Sequence, residues 1–408
     1  MMFRHWPRTW ISMTACIALA GCFAKSNQLR RGDVDDPPVA SAPCIPVPLV
    51  LTPGDVLRMS IAGNGLGEAL ESEASSQKSS GCKTCMPSRK QAQLSAELQK
   101  YASDEVRNQT AGLALTAYFR LAEARVQMDL LRQGLEPLET LAAQVEELRR
   151  QGLPIPDESV KLPQQRSNFE ADRVKIELLN ERLGEQLHQL VGKAAGLPPD
   201  SCSTITTIEV FHVEDRTIDE AEAVAVGMKY RPELNFLRMA MCNLDPGTLP
   251  VIRHVMLGLS SLLAGPARRC IPILECAPLL LPGLSRKEIE KVSKQLQAML
   301  DERKRQTISE IRQAVRAIHA RQRLIHLARD RAAIAQRKLD EAEENARQKR
   351  GKSIDLPVAR QGVLKARIDV VHEVIEWEIA CVNLRKAQGL LVREGVEKAK
   401  EHCAEGGR

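Results

Sequence analysis

Residues 308–346 read ISEIRQAVRAIHARQRLIHLARDRAAIAQRKLDEAEENA. Ile308, Ile311, Val315 and Ile318 open an apolar seam that continues through Ala328, Ala332, Ala335, Leu339, Ala342 and Ala346, with alternating spacings of three and four. That is the period of a helix in heptad packing. Alanine on the seam lets neighbouring backbones approach closely, so this helix is expected in a tight bundle.

Working outward, Arg350-Gly351-Lys352-Ser353-Ile354-Asp355 reads as a turn, and a return helix carries Leu364, Ile368, Val371, Ile375 and Val382 to Gln388-Gly389. The same plan stands earlier in the chain. A helix from about Ala96 towards Arg150 places Leu135, Leu138, Leu141, Val145 and Leu148 on one face. Pro137 is expected to kink it, because its ring removes a backbone donor and crowds the preceding turn. Gln151-Gly152-Leu153-Pro154-Ile155-Pro156 stops it, and Asp157-Glu158 can start a return helix by offsetting the positive end of the dipole. That return runs through Leu179, Leu183, Leu187 and Leu190 to Val191-Gly192, with Pro163 blurring its start. Laying Gly152 on Gly351 brings Gly192 near Gly389 and pairs Leu187 with Leu384 and Asn180 with Trp377. Two matched hairpins suggest an internal duplication, although a plain antiparallel coiled coil has similar periodicity.

Composition agrees with long solvated helices. Charged residues are 27% of the 408 and aromatics only 3%, a poor stock for a compact core built on rings. The net charge of +6 comes from basic and acidic residues interspersed along the helices, which argues against nucleic-acid binding. HExxH, GxSxG, Walker and GxGxxG patterns are absent, as are paired CxxC knuckles. The eight histidines are scattered, and His319 and His326, seven apart on one helix, read as solvated side chains. No enzyme, cofactor or metal is expected.

Arg4 and Arg8 precede the apolar run 11–20, which is too short to span a bilayer and has the length of a signal-peptide core. It ends in Leu19-Ala20-Gly21-Cys22, which resembles the bacterial lipobox. The expectation is cleavage before Cys22 and lipidation of its thiol, with Phe23 in place of aspartate implying outer-membrane sorting in a Gram-negative host. An uncleaved anchor, or a secretory signal in which Cys22 is incidental, are the other readings. Eleven cysteines less Cys16 and Cys22 leave an odd number. Cys82-Lys83-Thr84-Cys85 has redox spacing but no strand-then-helix context, so a local disulfide is favoured; zinc would need further close ligands.

The chain therefore divides into a signal peptide (1–21), a lipid-anchored Pro/Gly/Ser-rich tether with at most one short helix (22–93), and a first hairpin repeat with a short connecting helix (94–245). An apolar, proline-containing connector (246–300), a second hairpin repeat (301–395) and a flexible tail (396–408) follow.

These features resemble the TolC-type outer-membrane efflux protein family over roughly residues 51–389. Each half of such proteins opens with a short helix, often starting Leu-Thr-x-x-Glu/Asp-Ala and ending Asn/Arg-Pro-Glu-Leu. Thr217-Ile218-Asp219-Glu220-Ala221 to Tyr230-Arg231-Pro232-Glu233-Leu234 is similar to that pattern, with Pro232 read as the first turn of a helix. The resemblance implies a homotrimer whose helices form a tunnel across the periplasm and carry solutes passively. It also implies that the hairpin tips, Gly152-Leu153 and Gly351-Lys352-Ser353, dock on a periplasmic adaptor and an inner-membrane pump, while those glycines also end their helices.

The family draws membrane strands from each half into a shared barrel, and such strands need alternation and aromatic girdles. Here no aromatic residue lies between Phe23 and Tyr101 or between Phe236 and Trp377. The apolar runs within 251–282 are continuous and broken by prolines, which opposes a strand ladder. The expected fold is mainly α, long antiparallel hairpins in two pseudo-repeats forming a coiled-coil bundle, with barrel strands reduced or absent. A lipid-anchored scaffold that has lost its pore is the alternative function.

Overall fold

A computed structural model of the chain describes residues 49–79, 89–152, 162–192, 194, 205–207, 213, 217–258, 286–348, 350 and 355–397. The chain divides into units Met1–Cys44 and Ile45–Arg408, and every described residue belongs to the second. Its first half comprises β1 (Leu49–Leu51), α1 (Pro53–Ala62), α2 (Gly65–Ser79), α3 (Arg89–Arg150) and α4 (Leu162–Val191). The second comprises β2 (Ile205–Thr207), α5 (Glu220–Tyr230), α6 (Pro232–Cys242), α7 (Leu249–Gly258), α8 (Arg286–Arg347) and α9 (Asp355–Gln388). A short helix at 391–397 closes the described chain. Each half thus runs strand, short helices, a 62-residue helix and a return helix of 30 or 34 residues, and this repetition of order and length supports the duplication. β1 and β2 pair in parallel, Leu49 opposite Ile205 and Leu51 opposite Thr207.

Local chemistry explains the short helices. Thr52 and Asp55 cap α1 reciprocally, each side chain accepting the other's N–H at 3.1 Å, and Pro53 occupies the first turn. Asn64 starts α2 by accepting the Gly67 N–H at 2.8 Å, and Asp219 starts α5 by accepting that of Ala221 at 2.9 Å. Arg231 divides α5 from α6, and Pro232 begins α6 as the sequence suggested. The region expected to be a tether instead holds β1, α1 and α2. Its apolar residues are few, but Val56, Leu57 and Ile61 are buried against α3 in the cluster around Leu115, Tyr118 and Leu121, and the Tyr118 hydroxyl donates to the Leu51 carbonyl at 3.1 Å.

The long helices set the register. Going up α3, Asn108, Arg120, Glu123 and Gly134 meet Lys386, Glu376, His372 and Leu364 of α9, so the two run antiparallel. Gly134 also meets Phe169 of α4, and Arg321 of α8 meets Glu373 and Glu376 of α9. The order across the bundle is α4, α3, α9, α8, each antiparallel to its neighbour. On α8 the seam residues Ile311, Val315 and Ile318 are buried with Trp377 and Leu384 of α9, and Ala328 further along is buried too. Towards 346 the seam is half-buried and finally exposed.

One boundary differs from expectation. α8 begins at Arg286, before the expected start of the second hairpin at 301, because Val292, Leu296 and Leu300 supply an earlier buried face in the cluster with α6 and α7. α3 stays one helix through Pro137, and the carbonyl deprived of its partner belongs to Gln133, an exposed residue open to water.

Candidate functional site

Because α3 and α8 run in the same direction, both hairpin turns lie at one end of the bundle. The first turn is made by Gly152, whose φ of 68° is left-handed and whose N–H donates to the Arg149 carbonyl at 3.1 Å. Among the described residues nothing comes within 4 Å of the place where its Cβ would be. Leu153, Gly351, Lys352 and Ser353 lie outside the described residues, as do Cys22, Cys82 and Cys85. Between the helices near the tips are two grooves. One is floored by Ala142, Val145, Ala171 and Val174 and the other by Ile334, Ala335, Val358 and Ala366.

Both outer helices carry apolar side chains towards solvent. Val174, Leu178 and Leu179 do so on α4, and Leu324, Leu327 and Ile334 on α8, with Leu327 51% exposed. Exposed leucines are ordinary when single; here three exposed apolar side chains stand on each of the two outer helices.

Midway along the bundle a charged belt crosses three helices. Arg120 bonds Glu123 at 2.8 Å and reaches Glu376 of α9; Arg321 of α8 bonds Glu373 at 2.8 Å and Glu376 at 2.9 Å. His372 Nδ1 lies 2.7 Å from Glu123. The Glu123 hydrogen bond raises the His372 pKa against the opposing effect of burial; burial would raise Glu123, but His372 and Arg120 outweigh it and hold that carboxyl below its usual range.

Nearer the short helices lies a second, more buried cluster. Glu233, at the start of α6, accepts from Arg231 at 3.1 Å and from both Nε and Nη2 of Arg303 at 2.8 Å. Arg231 also donates to Glu310 at 2.5 Å and to the Ala387 carbonyl at 3.4 Å. Glu105 of α3 closes the group, one oxygen accepting from Gln109 at 2.7 Å. Burial, and then Glu233 beside it, push the Glu105 carboxyl well above the usual range, whereas the two arginines overcome burial and keep Glu233 low. With both acids ionised Glu105 Oε2 has no donor; a proton on it supplies a bond to Glu233. The sequence flagged Arg231-Pro232-Glu233-Leu234 only as a helix start, and nothing local announces it as the hub joining α3 to α6 and α8.

The expected solvated histidines divide. His319 accepts the Ile218 N–H at 3.3 Å, tying α8 to the segment that enters α5, while His326 is exposed. Among the described residues no group of three or more metal-ligating side chains occurs, and Cys242 is an exposed free thiol.

No family model matches the chain, and no curated protein does. Solved structures do. The outer-membrane channel OprN aligns with a TM-score of 0.59 at 10% identity, covering 83% of this chain and 89% of its own. The Campylobacter jejuni CmeC outer membrane channel aligns with a TM-score of 0.56 at 12% identity, covering 83% and 85%. The open state of the Neisseria gonorrhoeae MtrE outer membrane channel gives 0.55 at 12%, covering 83% and 88%. Each is an outer-membrane channel, and over most of its length this chain has the fold of the TolC-type outer-membrane channels.

Proposed function

We propose that the chain is the outer-membrane component of a TolC-type efflux or export system, a passive conduit working with a periplasmic adaptor and an inner-membrane pump. The observation that carries this is the open row α4, α3, α9, α8 with apolar side chains on both free edges. A head-to-tail contact, the α4 edge of one copy on the α8 edge of the next, is heterologous and generates a ring when the rotation closes. The ring is a homotrimer in this reading. The common end that holds Gly152, Leu153, Gly351, Lys352 and Ser353 then forms a rim for the adaptor. Lipid on Cys22 holds the protein at the outer membrane facing the periplasm, and a Cys82–Cys85 disulfide fits an exported chain. Nucleic acid, metal and cofactor have no part in it.

A lipid-anchored scaffold without a pore is the second reading. What favours it is that strands among the described residues are limited to β1 and β2, three residues each. Leu153→Cys and Ser353→Cys crosslinking to an adaptor in cells, combined with planar-bilayer recording of the purified lipoprotein, separates the two. The conduit gives crosslinks and discrete conductance steps. Crosslinks without conductance select the scaffold, and the absence of both removes the efflux assignment.

A further inference from the structure

The two halves repeat each other in order, but the second has three short helices to the first half's two and a longer passage into its long helix. In the second half 27 residues, 259–285, separate α7 from α8. In the first, nine residues, 80–88, separate α2 from α3. The TolC-type resemblance draws membrane strands from each half, and 259–285 overlaps the apolar region 251–282 weighed for them in the second; the repeat makes 80–88 the corresponding place in the first.

Nine residues cannot make a crossing and return. Fully extended they span about 30 Å, so an out-and-back excursion reaches about 15 Å, against an apolar band of about 25 Å in an outer-membrane barrel. A strand pair needs about ten residues each way and a turn. The two ends of the segment are also held together, because α2 lies antiparallel on α3. Asn64 donates to Thr110 at 2.7 Å, Ser103 donates to the Gly67 carbonyl at 3.0 Å, and Arg107 forks onto Glu71. Leu70 packs with the cluster that contains Leu94 and Leu98. Nor can the helix ends themselves enter lipid to shorten the path. α2 presents exposed Ser75 and Ser76 near its end, and α3 begins with exposed Arg89 and Lys90, the latter paired with Asp245 in the turn between α6 and α7. Basic side chains on the lipid face of a barrel are strongly disfavoured at mid-depth.

We propose that the chain makes no membrane crossing between α2 and α3, so that these two helix ends stay outside the bilayer, on the side of the long helices. A ring of copies then draws no barrel strands from this place in the first half. This inference rests on the envelope location proposed above.

The test inserts a recognition sequence for a site-specific protease between Gly81 and Cys82 of the full chain and adds the protease to cells. Cleavage is expected only after the outer membrane is permeabilised. Cleavage in intact cells shows that the segment reaches the outside and overturns the inference while leaving the conduit reading in place. Cleavage only after the inner membrane is also broken puts the chain inside the cell and ends both. A second variant, Thr84→Cys, keeps the native length should the insertion disturb folding. Peptide mapping after treatment with a membrane-impermeant thiol reagent should show residue 84 unmodified in intact cells and modified after permeabilisation, and modification in intact cells would again overturn the inference.

Discussion

Glu105 on α3 and Glu233 on α6 face each other as two buried carboxyl groups, 4% and 1% exposed, with the arginines Arg231 and Arg303 gathered on Glu233 alone. The asymmetry decides the protonation. Glu233 is satisfied as an anion, whereas burial first and then the neighbouring Glu233 disfavour the charged form of Glu105. The junction between the first half and the second thus sets an acid whose pKa is raised against an ion cluster.

A pH dependence follows with a definite sign. Burial and Glu233 raise the folded-state pKa of Glu105 above that of the unfolded chain, so over that interval the unfolded state binds fewer protons. Stability from this group is unaffected below the unfolded value of about 4.3 and falls as pH rises from there towards the folded value. Glu105→Gln keeps a donor for Glu233 and cannot ionise. Its thermal midpoint should exceed the parent's at pH 7 to 8, by a few degrees, and converge on it near pH 4. Melting curves across that range check this, and a variant less stable at pH 8 would show that Glu105 is ionised in place.

What the sequence made legible depended on how local each signal is. The seam through Ile311, Val315 and Ile318 is periodic within one helix, and those residues are buried as their spacing requires. Leu187 and Leu384, paired by counting back from the closing glycines, are both buried. α2 was not legible, since Gly65–Ser79 is rich in Ser and Glu and becomes a helix by packing Leu70 and Ala74 and by pairing Glu71 with Arg107. The start of α8 was missed because Val292, Leu296 and Leu300 stand in a stretch dense with charge, which masks their spacing of four. The ion clusters were beyond reach for another reason. Glu123 and His372 are 249 residues apart, and only the antiparallel register of α3 and α9 brings them together.

The two left-handed glycines should respond differently to the same change. Gly389, at φ 72°, ends α9 where a Cβ would lie 2.8 Å from Pro232 Cδ and 2.9 Å from Arg231 Cα, atoms that cannot swing aside. Gly152, at φ 68°, has nothing among the described residues within 4 Å of its Cβ position. Alanine at either position meets the left-handed penalty of about 1–2 kcal/mol. Gly389→Ala adds a collision with the start of α6 and should lose well over 2 kcal/mol in all. Gly152→Ala should lose only the backbone part and remain folded. Urea unfolding of both variants reads the difference, and equal losses would mean that the contact of Gly389 with α6 is not retained in solution.

The ring itself is open to a direct chemical test at Leu178 and Leu327. The pairings of Gly134 with Phe169 and Leu364, and of Glu376 with Arg120 and Arg321, put these two leucines at about the same height on opposite edges of the row. They are 47% and 51% exposed, and burying one such side chain fully contributes about 1.5–3 kcal/mol. Charge favours the same contact. Between 312 and 331 α8 carries six arginines and one aspartate, whereas between 170 and 185 α4 carries five acidic residues and three basic ones. The double variant Leu178→Cys, Leu327→Cys should therefore oxidise between copies, giving a ladder that ends at three linked chains, while either single variant gives no ladder. Raising the salt concentration should slow the reaction, because screening weakens the attraction between the two edges before they meet. A ladder that passes three without stopping would indicate an open fibre of copies, and a double variant that stays monomeric under oxidation would remove the ring and the conduit with it.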